Sequence, residues 1–199
     1  MWHKNSIGTR FHLTEEMCLV KLYIGFINRR LAMDIAIELI ESMLVKFRSE
    51  KKWTLQAIEQ CTQEDITWSP TVESNSIANL VAHISGAVHS RVETILLDIP
   101  DTRDREREFE RGLEMTKEQA ITMTRDAFDI IIQYLERLQS NPELLMSQPF
   151  LNLPPLTYSQ VNNETTALNL MIAMVREVHY HTGQIIYAAK IRKGQLVWQ

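Results

Sequence analysis

A chain of 199 residues, 45% hydrophobic and 23% charged, suits one domain with a sizeable core and has an ordinary soluble balance. A formal charge of −4, with Lys and Arg scattered, gives no electrostatic reason for nucleic-acid binding. Two cysteines, Cys18 and Cys61, argue against a disulfide framework and for a reducing, cytoplasmic setting; six glycines argue against a turn-rich β protein.

Residues 1–32 mix aromatic and basic side chains with an apolar patch and show no clean helical period. The run from Met17 to Ile27 is interrupted by Lys21 and falls short of the ~20 residues a membrane span needs, so no membrane partner is expected. It is not a signal peptide either: Glu15 and Glu16 precede it, Arg29 and Arg30 follow it, and no small-residue cleavage site appears. Two readings stand for this segment: an extension ahead of a domain spanning 33–199, or an additional helix packed on that domain.

Met33 is expected to open the first helix, with Ile37, Ile40, Leu44, Phe47, Leu55 and Ile58 at helical spacing to about Cys61. Residues 62–75, with Pro70, read as a loop. A second helix runs from Ser76 to about Leu97 on an apolar face of Ile77, Val81, Ile84, Val88, Val92 and Ile95, and Pro100 ends it. The stretch from Asp101 to Glu114 alternates in sign and reads as a solvated face or exposed loop.

Thr116 with Gln119 forms a capping box for a third helix to about Ser140, where Asn141-Pro142 breaks the chain. A long connection over 149–163 follows. The last helix starts near Thr165 or Thr166 and runs to about Arg192, with Gly194 as its stop. No strand pattern and no internal repeat appear. The fold class is therefore all-α: a four-helix bundle with long crossover connections.

The last helix carries polar groups on an apolar face. Leu170, Met171, Met174, Val178, Ile185 and Ala188 share that face, and Glu177 and His181 fall inside it one turn apart, with Gln184 at its edge. His179 points about 160° from His181, so the two cannot chelate one ion from an unbroken helix. On the second helix, His83 lies among Ser76, Asn79, Leu80, Ala87, Ser90 and Thr94, mostly small, and Gly86 adds space beside it. Two imidazoles from facing helices and a carboxylate make a three-ligand set with an open position. A hydrogen-bonded core histidine and a partly buried Glu–His pair explain the same spacing without a metal.

Asn75-Ser76-Ile77, His83-Ile84-Ser85-Gly86, Ser90-Arg91 and the charged stretch from Arg103-Asp104 to Glu108-Phe109 carry a family resemblance. With Tyr180-His181-Thr182-Gly183-Gln184-Ile185 and Tyr187 through Lys190, the chain over 33–193 resembles the DinB-like superfamily of metal-dependent enzymes. That superfamily includes bacillithiol and other thiol S-transferases, and the branch nearest this chain is known only as a domain of unknown function. The resemblance implies a four-helix bundle, frequently dimeric, with a divalent metal held by three histidines. One maps to His83 and another to His181; the third position is Glu177 here, where the family usually has histidine. Glu177 then serves as the third ligand, His179 replaces it through a local distortion, or the site has degenerated.

The leading functional expectation is a metal-dependent transferase or hydrolase acting on small molecules, with Zn²⁺ or Ni²⁺ at His83, Glu177 and His181 and thiol S-transfer as its chemistry. Its partners would be a small-molecule substrate, such as a low-molecular-weight thiol, and a second copy of the chain. Arg91 is a candidate for an anionic substrate group, though it also reads as a surface residue. Gln184 and Tyr180 are candidates to support the ligands from behind. The competing expectation is a catalytically silent, dimeric helical module in stress response or scaffolding. It draws on a second apolar stripe, Ile172, Val175, Ile186 and Ala189, around His179.

Overall fold

The computed structural model describes residues 9–147 and 166–199, with side chains described over 20–146 and 166–199. Helix α1 spans Thr9–Glu59. The helix expected to open at Met33 therefore begins at Thr9, because no proline interrupts backbone hydrogen bonding between the two points. Every side chain from 20 to 35 is exposed, Leu22, Tyr23, Phe26 and Leu31 among them, and core packing starts only at Ala36 and Ile40. The segment is helical but does not pack on the domain through its described side chains.

The stretch 62–75 is not all loop. A short helix α2 (Gln63–Thr67) opens on a capping box between Thr62 and Asp65. Helix α3 (Ile77–Val88) starts on a second capping box, Ser76 with Asn79, and widens into π-helical turns over His89–Leu96. Helix α4 (Lys117–Ser140) has the expected Thr116–Gln119 box. Asn141-Pro142 leads into the short α5 (Leu144–Ser147). The connection expected over 149–163 lies outside the described residues. Helix α6 (Ala167–Lys193) is capped by Thr166 and closed by Gly194 at φ 77°.

The fold is an all-α four-helix bundle of α1, α3 with its π extension, α4 and α6. Helix α1 packs on α4 and α6, and α3 packs on the same two, so α1 and α3 sit on opposite corners. Helices α4 and α6 likewise face each other across the bundle, and the chain crosses it between α1 and α3, which is why that connection is long. Leu44, Phe47, Leu80, Phe128, Ile131, Leu135, Met174 and Val178 are buried at the centre. The stripe expected around His179 divides: Ala189 is buried, Val175 and Ile186 pack at the core margin, and Ile172 is exposed. Among the described residues no helix is long and apolar enough to cross a membrane.

Candidate metal centre

The capping residue Asn79 begins the construction of the site. Its Oδ1 accepts from the Ser76 N–H at 3.1 Å and closes the α3 cap. Its amide nitrogen donates to the carbonyls of Glu108 and Glu110, at 2.9 Å each. The helix start thus fastens the charged stretch as a strap over α3, around the short 3-10 turn Arg107–Phe109. The next turn of α3 presents His83, which is buried against α6 and packs its ring 4.8 Å from that of Phe109.

Helix α6 supplies the facing groups. His83 Nε2 lies 2.8 Å from Glu177 Oε1, and His181 Nε2 lies 3.5 Å from the same oxygen. One donor atom from each of His83, Glu177 and His181 falls within 4.8 Å of the others. The i, i+4 spacing of Glu177 and His181 puts both on the α6 stripe that meets α3. His179 is elsewhere: its ring is 73% exposed and its Nδ1 bonds Glu50 on α1 at 2.7 Å. The helix is unbroken there, so His179 does not replace Glu177 in this cluster.

Each imidazole is held from behind. His83 Nδ1–H donates to Glu108 Oε2 at 2.8 Å, a direction fixed because an ionised carboxylate only accepts. His181 Nδ1–H donates to Gln184 Oε1 at 2.7 Å. Both rings thereby turn Nε2 toward the common point beside Glu177. Tyr180, the other candidate support, is exposed and touches His181 edge-on at 5.3 Å between ring centroids.

The electrostatics follow from these bonds. Burial works against a charged His83, yet its bonds to Glu108 and Glu177 outweigh burial and hold its pKa above the ordinary value. Hydrogen bonds from His181 and His83 hold Glu177 far below the usual carboxylate range, against burial and with help from the nearby Arg91 charge. Arg91 is thus half-buried close to the cluster rather than a remote surface residue. Glu108 is pushed up by burial but pulled further down by Arg103 and His83.

Glu108 and Arg103 correct the reading of the charged stretch as a solvated face. Asp104, Arg105, Glu106 and Arg107 are exposed, whereas Glu108 is buried and bonded by Arg103 through Nε at 2.6 Å and Nη2 at 2.8 Å. In the sequence they stood out by their place in the stretch that carries the family resemblance, but no local period separates these two from their neighbours. The small residues around His83 are also not an open floor. Ser76, Asn79, Leu80, Ala87, Ser90 and Thr94 are all buried. A cavity of about 680 Å³ opens instead on the Ala82, Ser85 and Gly86 side, walled by Arg103, Glu108 and Met123; none of the three cluster residues lines it.

Two imidazoles and a carboxylate presented between facing helices of a bundle define a candidate metal-binding helical protein. The family described as a protein of unknown function (DUF1572) matches residues 34–198, and the chain belongs to that family. No curated protein and no solved structure matches it.

Proposed function

We propose that His83, Glu177 and His181 hold one divalent cation, Zn²⁺ or Ni²⁺, and that the protein is a metal-dependent enzyme acting on small molecules in the cytoplasm. The observation that carries this reading is that both Nε2 atoms converge beside the Glu177 carboxylate while each Nδ1–H is committed to its own acceptor. Metal-ligating histidines ordinarily show that arrangement. Three protein ligands with nitrogen and oxygen donors suit either ion and leave a position for a further ligand.

When bound, such an ion acts as a Lewis acid or lowers the pKa of a bound thiol or water. The chain's own residues bind and orient. Glu177 contributes the negative charge that offsets a dication, Gln184 fixes the His181 ring, and Phe109 covers one side of His83. Arg91, close enough to act on Glu177, would attract an anionic substrate group toward the same point. The DinB-like resemblance favours thiol S-transfer over hydrolysis as the reaction.

Bound metal per chain, measured on untagged protein after Zn²⁺ or Ni²⁺ addition, tests the site. One equivalent in the wild type, with loss in both His181→Ala and Glu177→Ala, is the expected result. Full metal in His181→Ala would refute the ligand assignment. Thiol transfer is checked by the disappearance of a low-molecular-weight thiol with an alkyl halide, faster in the wild type than in His181→Ala.

The silent, dimeric module remains the second reading. Ile172, Tyr180, Tyr187 and Ile191 are exposed along one side of α6, a stripe that a second copy of the chain would cover. Substoichiometric metal in the wild type together with a dimer in solution would favour it.

A further inference from the structure

We infer that Glu108 is the positioning residue of the cluster, clamped by Arg103 and admitted by the missing side chain of Gly86, and that this clamp sets how tightly His83 holds a divalent cation. The inference rests on the metal-site reading above and concerns residues outside the ligand set.

A carboxylate as buried as Glu108, 5% exposed, is costly to keep ionised unless it is well bonded. Both oxygens are engaged: Oε1 accepts from Arg103 Nε, and Oε2 accepts from Arg103 Nη2 and from His83 Nδ1–H. Its backbone is equally constrained, since Asn79 holds the Glu108 carbonyl from within α3. Residue 108 is thus fixed at both ends by the helix that carries His83. A side chain needed only for solubility would be left on the surface with its exposed neighbours.

Gly86 makes the approach feasible. A Cβ at this position would lie 2.0 Å from Glu108 Oε1 and 2.8 Å from its carboxyl carbon, and it would also meet Arg103 Nε at 3.0 Å. No substituent fits unless the Glu108 carboxylate shifts from the position in which it bonds Arg103 and His83. Glycine inside a helix is otherwise unfavourable by about 1 kcal/mol relative to alanine. The local helix gains nothing from it, so the carboxylate contact is what the missing side chain serves.

The chemical effect runs through the ring. An anion accepting Nδ1–H fixes the tautomer, holds the ring plane and increases the basicity of Nε2, the atom facing Glu177 and His181. Removing such a partner typically weakens metal affinity on the order of 10- to 100-fold.

The test is competition of the untagged full chain against a chromophoric chelator for Zn²⁺, with the visible absorption of the Co²⁺-loaded protein as the spectroscopic readout. Variants are Glu108→Ala, Glu108→Gln, Gly86→Ala and the double variant Gly86→Ala/Glu108→Ala. Expected are a loss on the order of 10- to 100-fold in Glu108→Ala with a changed Co²⁺ spectrum, and substantial rescue in Glu108→Gln, which keeps an acceptor for Nδ1–H. Gly86→Ala should weaken binding in the wild-type background and add nothing to Glu108→Ala. Unchanged affinity in Glu108→Ala, beside a wild type that binds, overturns the inference and leaves the metal site standing. Equal loss in the Gln and Ala variants overturns positioning, and additive loss in the double variant overturns the role of Gly86. A wild type that binds neither ion overturns the metal reading and this inference with it.

Discussion

Asp65 ties two distant parts of the chain together, and its replacement by asparagine has a calculable cost. The carboxylate is 3% exposed. It accepts from the Thr62 N–H at 2.8 Å in the α2 capping box, from Arg192 Nε at 2.6 Å and faces Lys193 Nζ at 3.4 Å, both at the end of α6. Asparagine keeps an acceptor for the Thr62 cap but loses the charge and turns an amide toward a guanidinium. A hydrogen bond to a charged group contributes about 1.5–3 kcal/mol. Arg192 and Lys193 are 35% and 31% exposed, so part of the loss is recovered by hydration. Asp65→Asn should therefore cost about 2 kcal/mol at pH 7, or a melting-temperature drop of roughly 4–8 °C for a chain of this size.

The pH dependence supplies the sharper check. Despite burial, the Thr62 backbone bond and the Arg192 and Lys193 side chains hold the Asp65 pKa far below the usual value. In the unfolded chain it returns to about 3.9. A depressed folded pKa means stability that is full above the unfolded value and lost as pH falls toward the folded one. Urea unfolding followed by circular dichroism should show a gap between wild type and Asp65→Asn of about 2 kcal/mol at pH 7 that narrows below about pH 4. A gap under about 0.5 kcal/mol at pH 7, the level of an ordinary surface substitution, or one that widens in acid, would refute the reasoning.

Other outcomes follow from the same contacts. Thr54 and Thr182 are buried and hydrogen-bonded across α1 and α6 at 2.9 Å, so Thr182→Val should cost about 1 kcal/mol while Thr54→Val/Thr182→Val costs less than the sum of the single changes by denaturant unfolding. Gly194 stands at φ 77° and ψ −128° with open space where a Cβ would go; Gly194→Ala should lose about 1–3 kcal/mol from backbone strain alone, read from the unfolding midpoint. Phe128→Ala, in the fully buried centre, should lose about 3–5 kcal/mol in the same assay. Removing residues 1–32 should shift the melting temperature by no more than about 2 °C, because the described side chains before residue 33 bury nothing; a drop beyond about 8 °C would contradict that.

Much of the fold was legible because its signals are short-range. Ser76, Thr116 with Gln119, Thr166 and Gly194 each act within one helical turn, and their helices start or stop at those residues. The opposed directions of His179 and His181 were legible for the same reason. The start of α1 was not, since a helix persists through a segment whose apolar residues lack a period when nothing breaks it. Nor was the burial of Glu108, whose neighbours in the run share its charge pattern and differ only in what they face.

The sequence alone thus determined the all-α class, the four long helices, the α6 face shared by Glu177 and His181, and the separation of His179 from it, all consequences of residue spacing on a regular helix. Only the tertiary structure decided that His83 meets that face, that Arg103 and Glu108 leave the charged strap to bond it, and that Gly86 is where the carboxylate fits. Those contacts join residues 94 apart in the case of His83 and Glu177 and 25 apart for His83 and Glu108. Such pairings depend on how helices and strap pack in three dimensions, and no periodicity along the chain encodes them.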